Sequence, residues 1–404
     1  MKNKNTLIVF YPYRFTLNHF TRYEIEFLRK YCDVLIFEFG ELLNKDFYKS
    51  QMKHEEIPCS IVKVNGLPHL YQLLNKIEGN IVILDDIPRD SFKSLLINFL
   101  IKIKKIQTFI GIDNTNTLYN SVNSKYSFSS FKNLRKSIMY RIYTLFFKVD
   151  DYRMVRGEGL LEKKLKTKDF YTHSWEYSNG LSYEGKIQID FKYAVLLDGA
   201  GPKFNSDNAL LNDKYFLTSD KWYPSLVRFM EDLESEHGVK FLIAAHPSSN
   251  FGKRDKVFGG REIYHGMSQQ LVKGCEFIVT RASTSTRFAV IYNKPAIFIY
   301  SNQIPKTINS YNDSLNWKES IGGSLINIDQ YPHKEIKILN VDSVKYENYM
   351  KEISSSQNLN RPNYQIILHN IFEYDFSLFV NKIKIVVSYT LYYIDFNLLP
   401  NIKK

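Results

Sequence analysis

The chain has 404 residues and a formal charge of +12, from 54 Lys and Arg against 42 Asp and Glu, with a pI near 9.2. That length, 44% hydrophobic residues and only 18 Gly and 12 Pro predict two globular domains and exclude a disordered, collagen-like or linker-like chain. Basic charge with 29 Tyr and 29 Phe suits nucleic acid, an anionic membrane face or a phosphorylated substrate, and composition does not choose among them.

Residues 1–6 lead straight into Leu7–Phe10, an apolar run too short for a signal peptide and without a small-residue cleavage site. No stretch of 18 uncharged apolar residues is present, so no spanning helix is predicted. Cys32, Cys59 and Cys275 form neither a disulfide framework nor a metal spacing, so the chain reads as cytoplasmic. A strand is predicted over Thr6–Tyr11, a helix over Asn18–Tyr31 and a strand over Val34–Phe39. The apolar run Ile81–Leu84 ends in Asp85-Asp86, and Thr108–Ile112 ends in Asp113-Asn114. β-Rich runs alternating with helical patterns predict a parallel sheet with crossover helices. Ligands gather at the carboxyl ends of such strands, where both acidic groups lie. This first half covers about 1–155. Residues 156–192, polar and aromatic, read as a connection.

A second α/β series follows, assigned to 193–345. Its strand Tyr193–Leu197 meets Asp198-Gly199, and a helix over Tyr223–His237 is closed by Gly238. Strand Val239–Ala245 ends at His246-Pro247. A helix over Ser268–Lys273 leads to strand Glu276–Thr280. Ser283-Thr284-Ser285 then caps a helix running to Tyr292, before strand Ala296–Tyr300. Residues 346–404 are expected to pack back on the first domain or on a membrane.

Two strand ends in this half carry chemistry. Proline after His246 stops the ladder and turns the histidine toward the crevice at the sheet edge, where imidazole can donate to a phosphate oxygen. The run Thr280-Arg281-Ala282-Ser283-Thr284-Ser285-Thr286 offers more hydroxyls than one cap needs, beside a cation and exposed helix N–H groups. Each motif alone is also compatible with an ordinary strand end or cap. Together, at adjacent strand ends with one helix between them, they describe a phosphate site.

The order strand, His-Pro, helix, strand, Ser/Thr run, helix, Lys294-Pro295, strand resembles the nucleotide-binding half of GT-B glycosyltransferases. The stretch 170–300 is similar to bacterial surface-polysaccharide transferases, those using CMP-activated acidic sugars above all, including bacterial sialyltransferases. The resemblance implies an α/β GT-B-like fold of two Rossmann-like domains whose parallel sheets face a cleft. It implies that His246, Pro247, Ser283, Thr284 and Ser285 hold the donor phosphate and ribose. It also implies an acidic base in the first domain, which in the sialyltransferases is an acidic pair followed by glycine. Here Asp85-Asp86 is followed by Ile87-Pro88, and Asp113 competes for the role.

Gly259-Gly260-Arg261-Glu262, also similar to capsule and O-antigen cluster transferases, could bring backbone close to a ligand and offer a carboxylate to ribose and a guanidinium to phosphate. A surface turn with a solvated ion pair is the competing reading. Asp198-Gly199-Ala200-Gly201 suggests a tight turn near phosphate without a full dinucleotide fingerprint. No Walker A, HExxH or CxxC pattern occurs, so neither a metal nor a cofactor beyond the nucleotide-sugar donor is expected.

Residues 92–106 and 131–148 are basic and apolar, and in the second Leu134, Ile138, Ile142 and Leu145 recur at helical spacing. Each reads as a core-facing helix with a solvated basic face, or as a helix lying on an anionic membrane. The apolar tail from Phe376 to Lys404 has the same two readings. The expected activity is an inverting glycosyl transfer from a CMP-linked nonulosonate-like or Kdo-like sugar to a growing surface glycan. The acceptor could be lipid-linked, with the enzyme on the inner face of the cytoplasmic membrane. A glycerophosphotransferase with a CDP-glycerol donor, and a UDP-sugar transferase or epimerase, are the alternatives. A nucleic-acid-binding protein would not need ordered phosphate motifs at strand ends.

Overall fold

The computed structural model describes residues 5–50, 56–89, 91–113, 152–157, 169–183, 187–199, 201–202, 217–246, 249, 251–281, 283–304, 309–333 and 335–374. The stretch 131–148, the tail 376–404 and Pro247 lie outside the described residues.

The first domain runs β1 (Asn5–Tyr11), α1 (Leu17–Arg22), α2 (Ile25–Leu28), β2 (Asp33–Glu38), α3 (Gly40–Leu43), α4 (Lys45–Ser50), β3 (Ser60–Lys63), α5 (Leu67–Asn75), β4 (Asn80–Asp85), α6 (Phe92–Ile103), β5 (Gln107–Asp113), β6 (Tyr152–Arg156) and β7 (Asp169–Thr172). The seven strands are all parallel, in the order β3-β2-β1-β4-β5-β6-β7. Side chains alternate across a strand, so β1 fills two cores at once. Leu7 and Val9 join one cluster, and Ile8 and Phe10 join the other. All four are fully buried, each contributing on the order of 2 kcal/mol.

Two predictions change here. The stretch 156–192, read as a connection, supplies β7 and then α7 (Trp175–Ser182). A strand of four residues, Asp169–Thr172, is too short to show a period. The helix expected over Asn18–Tyr31 is two helices broken at Tyr23-Glu24, where Glu24 takes φ 54°. The break lets a fully buried Glu24 carboxylate accept from Ser178 Oγ and Ser182 Oγ, both at 2.6 Å, and from Tyr364 N at 2.7 Å. Burial raises its pKa, against these donors.

The second domain runs β8 (Tyr193–Leu197), α8 (Ser219–His237), β9 (Lys240–Ala245), β10 (Ile263–His265), α9 (Ser268–Gly274), β11 (Ile278–Thr280), α10 (Arg287–Ile291), β12 (Ala296–Tyr300), α11 (Asn309–Ile321), β13 (Ser324–Asn327) and α12 (Ser343–Ile353). Its six parallel strands are ordered β10-β9-β8-β11-β12-β13. Gly238 closes α8 at φ 63°, the left-handed cap that glycine accepts without strain. The chain steps outward from β8 to β10 and returns to β11 beside β8. That reversal opens a crevice at the carboxyl ends of β8 and β11. The first sheet reverses in the same way between β1 and β4.

After α12, whose Tyr346, Tyr349 and Ile353 pack in the second domain, the chain crosses back. A last helix, α13 (Asn363–Phe372), places Ile366, Ile367, Leu368 and Ile371 in the first domain's core. His173 pins the crossing. Its Nδ1 accepts from Ser355 N at 3.0 Å, so the ring proton sits on Nε2 and points at the carbonyls of Asn358 and Arg361, 3.0 and 3.1 Å away.

Candidate active site at facing sheet edges

At the second sheet's carboxyl edge, three adjacent strand ends converge. Asp198 follows β8, His246 follows β9 and Arg281 follows β11. The Asp198 carboxyl is almost wholly buried. Burial pushes its pKa up to about 7, although Arg281 and the His246 backbone N–H both favour the charged form. Burial lowers His246 to about 4, so at neutral pH it is an uncharged donor and acceptor, not a cation. Ser249 N and Oγ hold the His246 carbonyl at 2.8 and 2.7 Å, fixing the turn. The Arg281 carbonyl accepts from Ser314 Oγ on α11. Asp313, on the same helix, is raised by burial and partly held down by Arg281.

Next along the chain, Ser283–Thr286 forms a 3-10 turn leading into α10, where a longer helix is predicted. Ser283 Oγ caps it by accepting from Ser285 N at 3.2 Å. One hydroxyl therefore does the capping. Thr286 Oγ1 is buried and has no hydrogen-bond partner among the described residues. The indole Nε1 of Trp222, on α8, is likewise buried and unmatched. It lies against Gly201, where a Cβ would stand 3.7 Å from Asp198 Oδ1, 3.2 Å from Tyr223 Oη and 3.8 Å from Trp222 Nε1. A buried unmatched donor costs about 1–3 kcal/mol.

Facing this edge, the first sheet presents Asp85, Asp86 and Asp113 at the ends of β4 and β5. Asp85 is spent on its own turn. Its Oδ1 accepts from Ile87 N at 3.1 Å, Arg89 lies 3.8 Å from Oδ2, and the side chain is fully buried. It cannot reach an acceptor hydroxyl. Asp86 is half-buried, and its Oδ2 accepts from Tyr23 Oη. Asp113 ends β5 with its Cα paired to Arg156. Beside Asp86 stand Tyr11 and His19. His19 Nδ1 accepts from Thr16 N at 3.0 Å, so Nε2 carries the proton and donates to Tyr11 Oη at 2.6 Å. Burial raises both Tyr11 and Tyr23, with Asp86 adding to the shift.

One buried ion cluster links the two edges. Glu176 of α7 lies 2.9 Å from Arg287 Nη1 and 3.9 Å from Arg22 Nη2. Arg22 ends α1, next to Tyr23, and Arg287 directly follows Thr286. Burial alone would raise the Glu176 carboxyl, but Arg287 and then Arg22 hold it at about 2. The Ser/Thr turn and the Asp86 edge thus meet across one carboxylate.

Gly259–Glu262 does not join them. The segment precedes β10 and flanks the start of β9, since Ile263 pairs with Ile243. His246 follows the far end of β9, four residues and about 13 Å beyond Leu242, which lies opposite Glu262. Arg261 is held by Glu234 in two bonds, 2.9 and 2.6 Å, and Glu262 by Arg254 at 2.6 Å and Tyr264 Oη at 2.8 Å. Gly259 and Gly260, at φ 66° and 75°, build the turn into that ion pair. Gly199 lies beside Asp198 at the crevice.

Sequence patterns missed Trp222, Tyr223, Arg287 and Glu176. Each sits on a helix, where an aromatic or ion pair looks like ordinary packing. Among the described residues, no group of three or more His, Cys, Asp or Glu could hold a metal ion. No helix among them is long and apolar enough to cross a membrane.

No protein-family profile and no curated protein sequence matches the chain. Solved structures do. CalG4, the calicheamicin glycosyltransferase, superposes with a TM-score of 0.52 at 11% identity, over 92% of this chain and 99% of that one. UGT89C1 of Arabidopsis thaliana matches at 0.48 and 10%, over 91% and 100%. SnogD from Streptomyces nogalater matches at 0.47 and 11%, over 91% and 99%. The fold is α/β, with the two-domain GT-B architecture expected from the sequence.

Proposed function

We propose that the chain is a glycosyltransferase that takes its sugar from a nucleotide donor bound at the second domain's carboxyl edge. The observation that carries the reading is the convergence there of Asp198, His246, Arg281 and the Ser283–Thr286 turn, with the Trp222 and Thr286 donors buried and unmatched among the described residues. The likeness to CalG4 over nearly the whole of both chains supports it.

The chemistry follows from the placement. The Arg281 guanidinium and the neutral His246 ring hydrogen-bond the donor phosphate and stabilise the charge that develops on it as the glycosidic C–O bond breaks. The acceptor hydroxyl attacks the anomeric carbon from the opposite face. Its proton passes to Asp86, the half-exposed carboxylate, while the bonding electrons leave with the nucleotide, inverting the centre. Asp113 is the second candidate for the base. By its motif resemblance the donor is CMP linked to an acidic nonulosonate-like or Kdo-like sugar, and the acceptor is a surface glycan, which could be lipid-linked.

Thermal unfolding with CMP, CDP, UDP and GDP tests the reading. Stabilisation by CMP, lost in His246→Ala and Arg281→Ala, is the expected result. A response to UDP alone moves the donor to the UDP-sugar alternative, and one to CDP alone favours glycerol phosphate transfer. No response to any nucleotide refutes the site.

A further inference from the structure

Helix α6 carries an apolar stripe on its outer side in addition to the side it buries. Ser94, Ile97, Asn98 and Ile101 are buried against the sheet. At 100° per residue, Phe92, Leu96, Phe99 and Ile103 fall within a 60° arc directly opposite. Phe92 is 59% exposed, Phe99 50% and Ile103 58%. Lys93 and Lys104 flank this outer stripe on one side and Lys102 on the other. No acidic residue occurs from Ser91 to Ile112. On the neighbouring helix α5, Tyr71 is 46% exposed under the Lys104 ammonium, 4.2 Å from the ring centroid, and α5 has no acidic residue either.

We propose that the outer face of α6 docks the first domain on an anionic lipid bilayer. An apolar stripe between lysine rows, with no carboxylate on α5 or α6 to repel headgroups, matches the layering of an interface. Rings enter the acyl boundary; Lys102 reaches the phosphates, as does Lys93 once its Nζ leaves the Leu42 carbonyl 2.6 Å away, while Lys104 Nζ is held by Asn75 Oδ1. A protein partner of ordinary chemistry would leave the lysine rows without a matched surface on both flanks. The helix begins seven residues after Asp85, at the carboxyl edge of β4, so its Phe92 end lies near the cleft. A bilayer against α6 therefore brings membrane-borne molecules to the Asp86 side. That last consequence rests on the glycosyltransferase reading; the docking itself does not.

The test is flotation of the full chain with vesicles of phosphatidylcholine alone, and of phosphatidylcholine with about one-third phosphatidylglycerol. The wild type floats with the anionic vesicles, weakly with the neutral ones, and less as salt rises. Phe92→Asp/Ile103→Asp changes two exposed positions, so its circular dichroism and melting temperature stay as in the wild type, while binding falls by about tenfold or more. Lys93→Gln/Lys102→Gln weakens anionic binding and flattens its salt dependence. Equal flotation of wild type and the Asp pair overturns the proposal, and so does a wild type that ignores anionic vesicles. If the Asp pair instead turns a dimer into a monomer by light scattering, with no vesicle binding, the face is a protein interface and the proposal falls. Nucleotide stabilisation is measured on the same samples without lipid. Its failure counts against the donor site alone.

Discussion

Glu176→Gln removes the one negative charge between Arg22 and Arg287. Holding a carboxyl at about 2 against an ordinary 4.5 corresponds to on the order of 3 kcal/mol in favour of the fold. Arg287 is itself buried, so losing its partner adds the cost of an uncompensated guanidinium, and the total for such a break is about 3–5 kcal/mol. Because the folded pKa is depressed, this stability is fully present above about 4.5 and is lost as pH falls toward 2. Urea unfolding of wild type and variant from pH 7 to pH 3 measures it. The gap should be widest at pH 7 and should narrow as pH drops below 4.5. Glu176→Gln/Arg287→Met, which removes both charges, should recover much of the loss. A gap below about 1 kcal/mol that does not change with pH refutes the ion cluster as a link between the domains.

The site makes three further predictions. Asp86→Asn should lower turnover by about 10²–10⁴ with nucleotide stabilisation unchanged, whereas Asp85→Asn should act on melting temperature through its turn; unchanged turnover in the first removes Asp86 as the base. Asp198 has a raised folded pKa, so its ionisation costs stability as pH rises from 3.8 through about 7; Asp198→Asn should gain stability over wild type at pH 8 and little at pH 4 in paired melts. Glu262→Ala breaks an exposed pair far from the crevice, so nucleotide titration should match wild type and stability should stay within about 0.5 kcal/mol; lost nucleotide binding would return that loop to the site.

Strand positions were legible because the second sheet's buried strands are short unbroken apolar runs between turn residues. Tyr193–Leu197 is buried at every position, and Lys240–Ala245 at all but the first. A run of that kind can only be an interior strand or a short helix, and its Gly and Pro boundaries decide. Ser60–Lys63, Asp169–Thr172 and Ile263–His265 escaped because edge strands of three or four residues carry no such run. The placement of His246 and Ser283–Ser285 just past strand ends was legible for the same reason, since the ends of those strands could be placed. Gly259–Glu262 misled because its residue types suit phosphate, while its position relative to β9 depends on which strand pairs with which. That register is a long-range property. The choice between Asp85 and Asp86 was equally hidden, since adjacent residues at a strand end point to opposite faces. The Ile87 amide, the Arg89 guanidinium and full burial on the Asp85 side, and the Tyr23 hydroxyl on the Asp86 side, distinguish them.

The same geometry argues that donor binding and domain placement are coupled. Thr286, whose hydroxyl is unmatched among the described residues, ends the 3-10 turn, and Arg287, with its buried ion pair, is the next residue and the first of α10. If a donor phosphate binds at the Ser283–Thr286 turn as proposed, any movement of that turn is transmitted to Arg287, whose guanidinium is paired with Glu176, and through it to Arg22 beside Tyr23. A ligand moves an equilibrium only by its differential affinity for the two states. Here that difference has a physical source, because moving the turn changes the Arg287–Glu176 separation in a buried place where Coulomb energy is steep in distance. On the proposed reading, the Ser/Thr turn and the Asp86 edge are joined through one carboxylate, Glu176, contributed by the stretch that sequence pattern alone assigned to a connection.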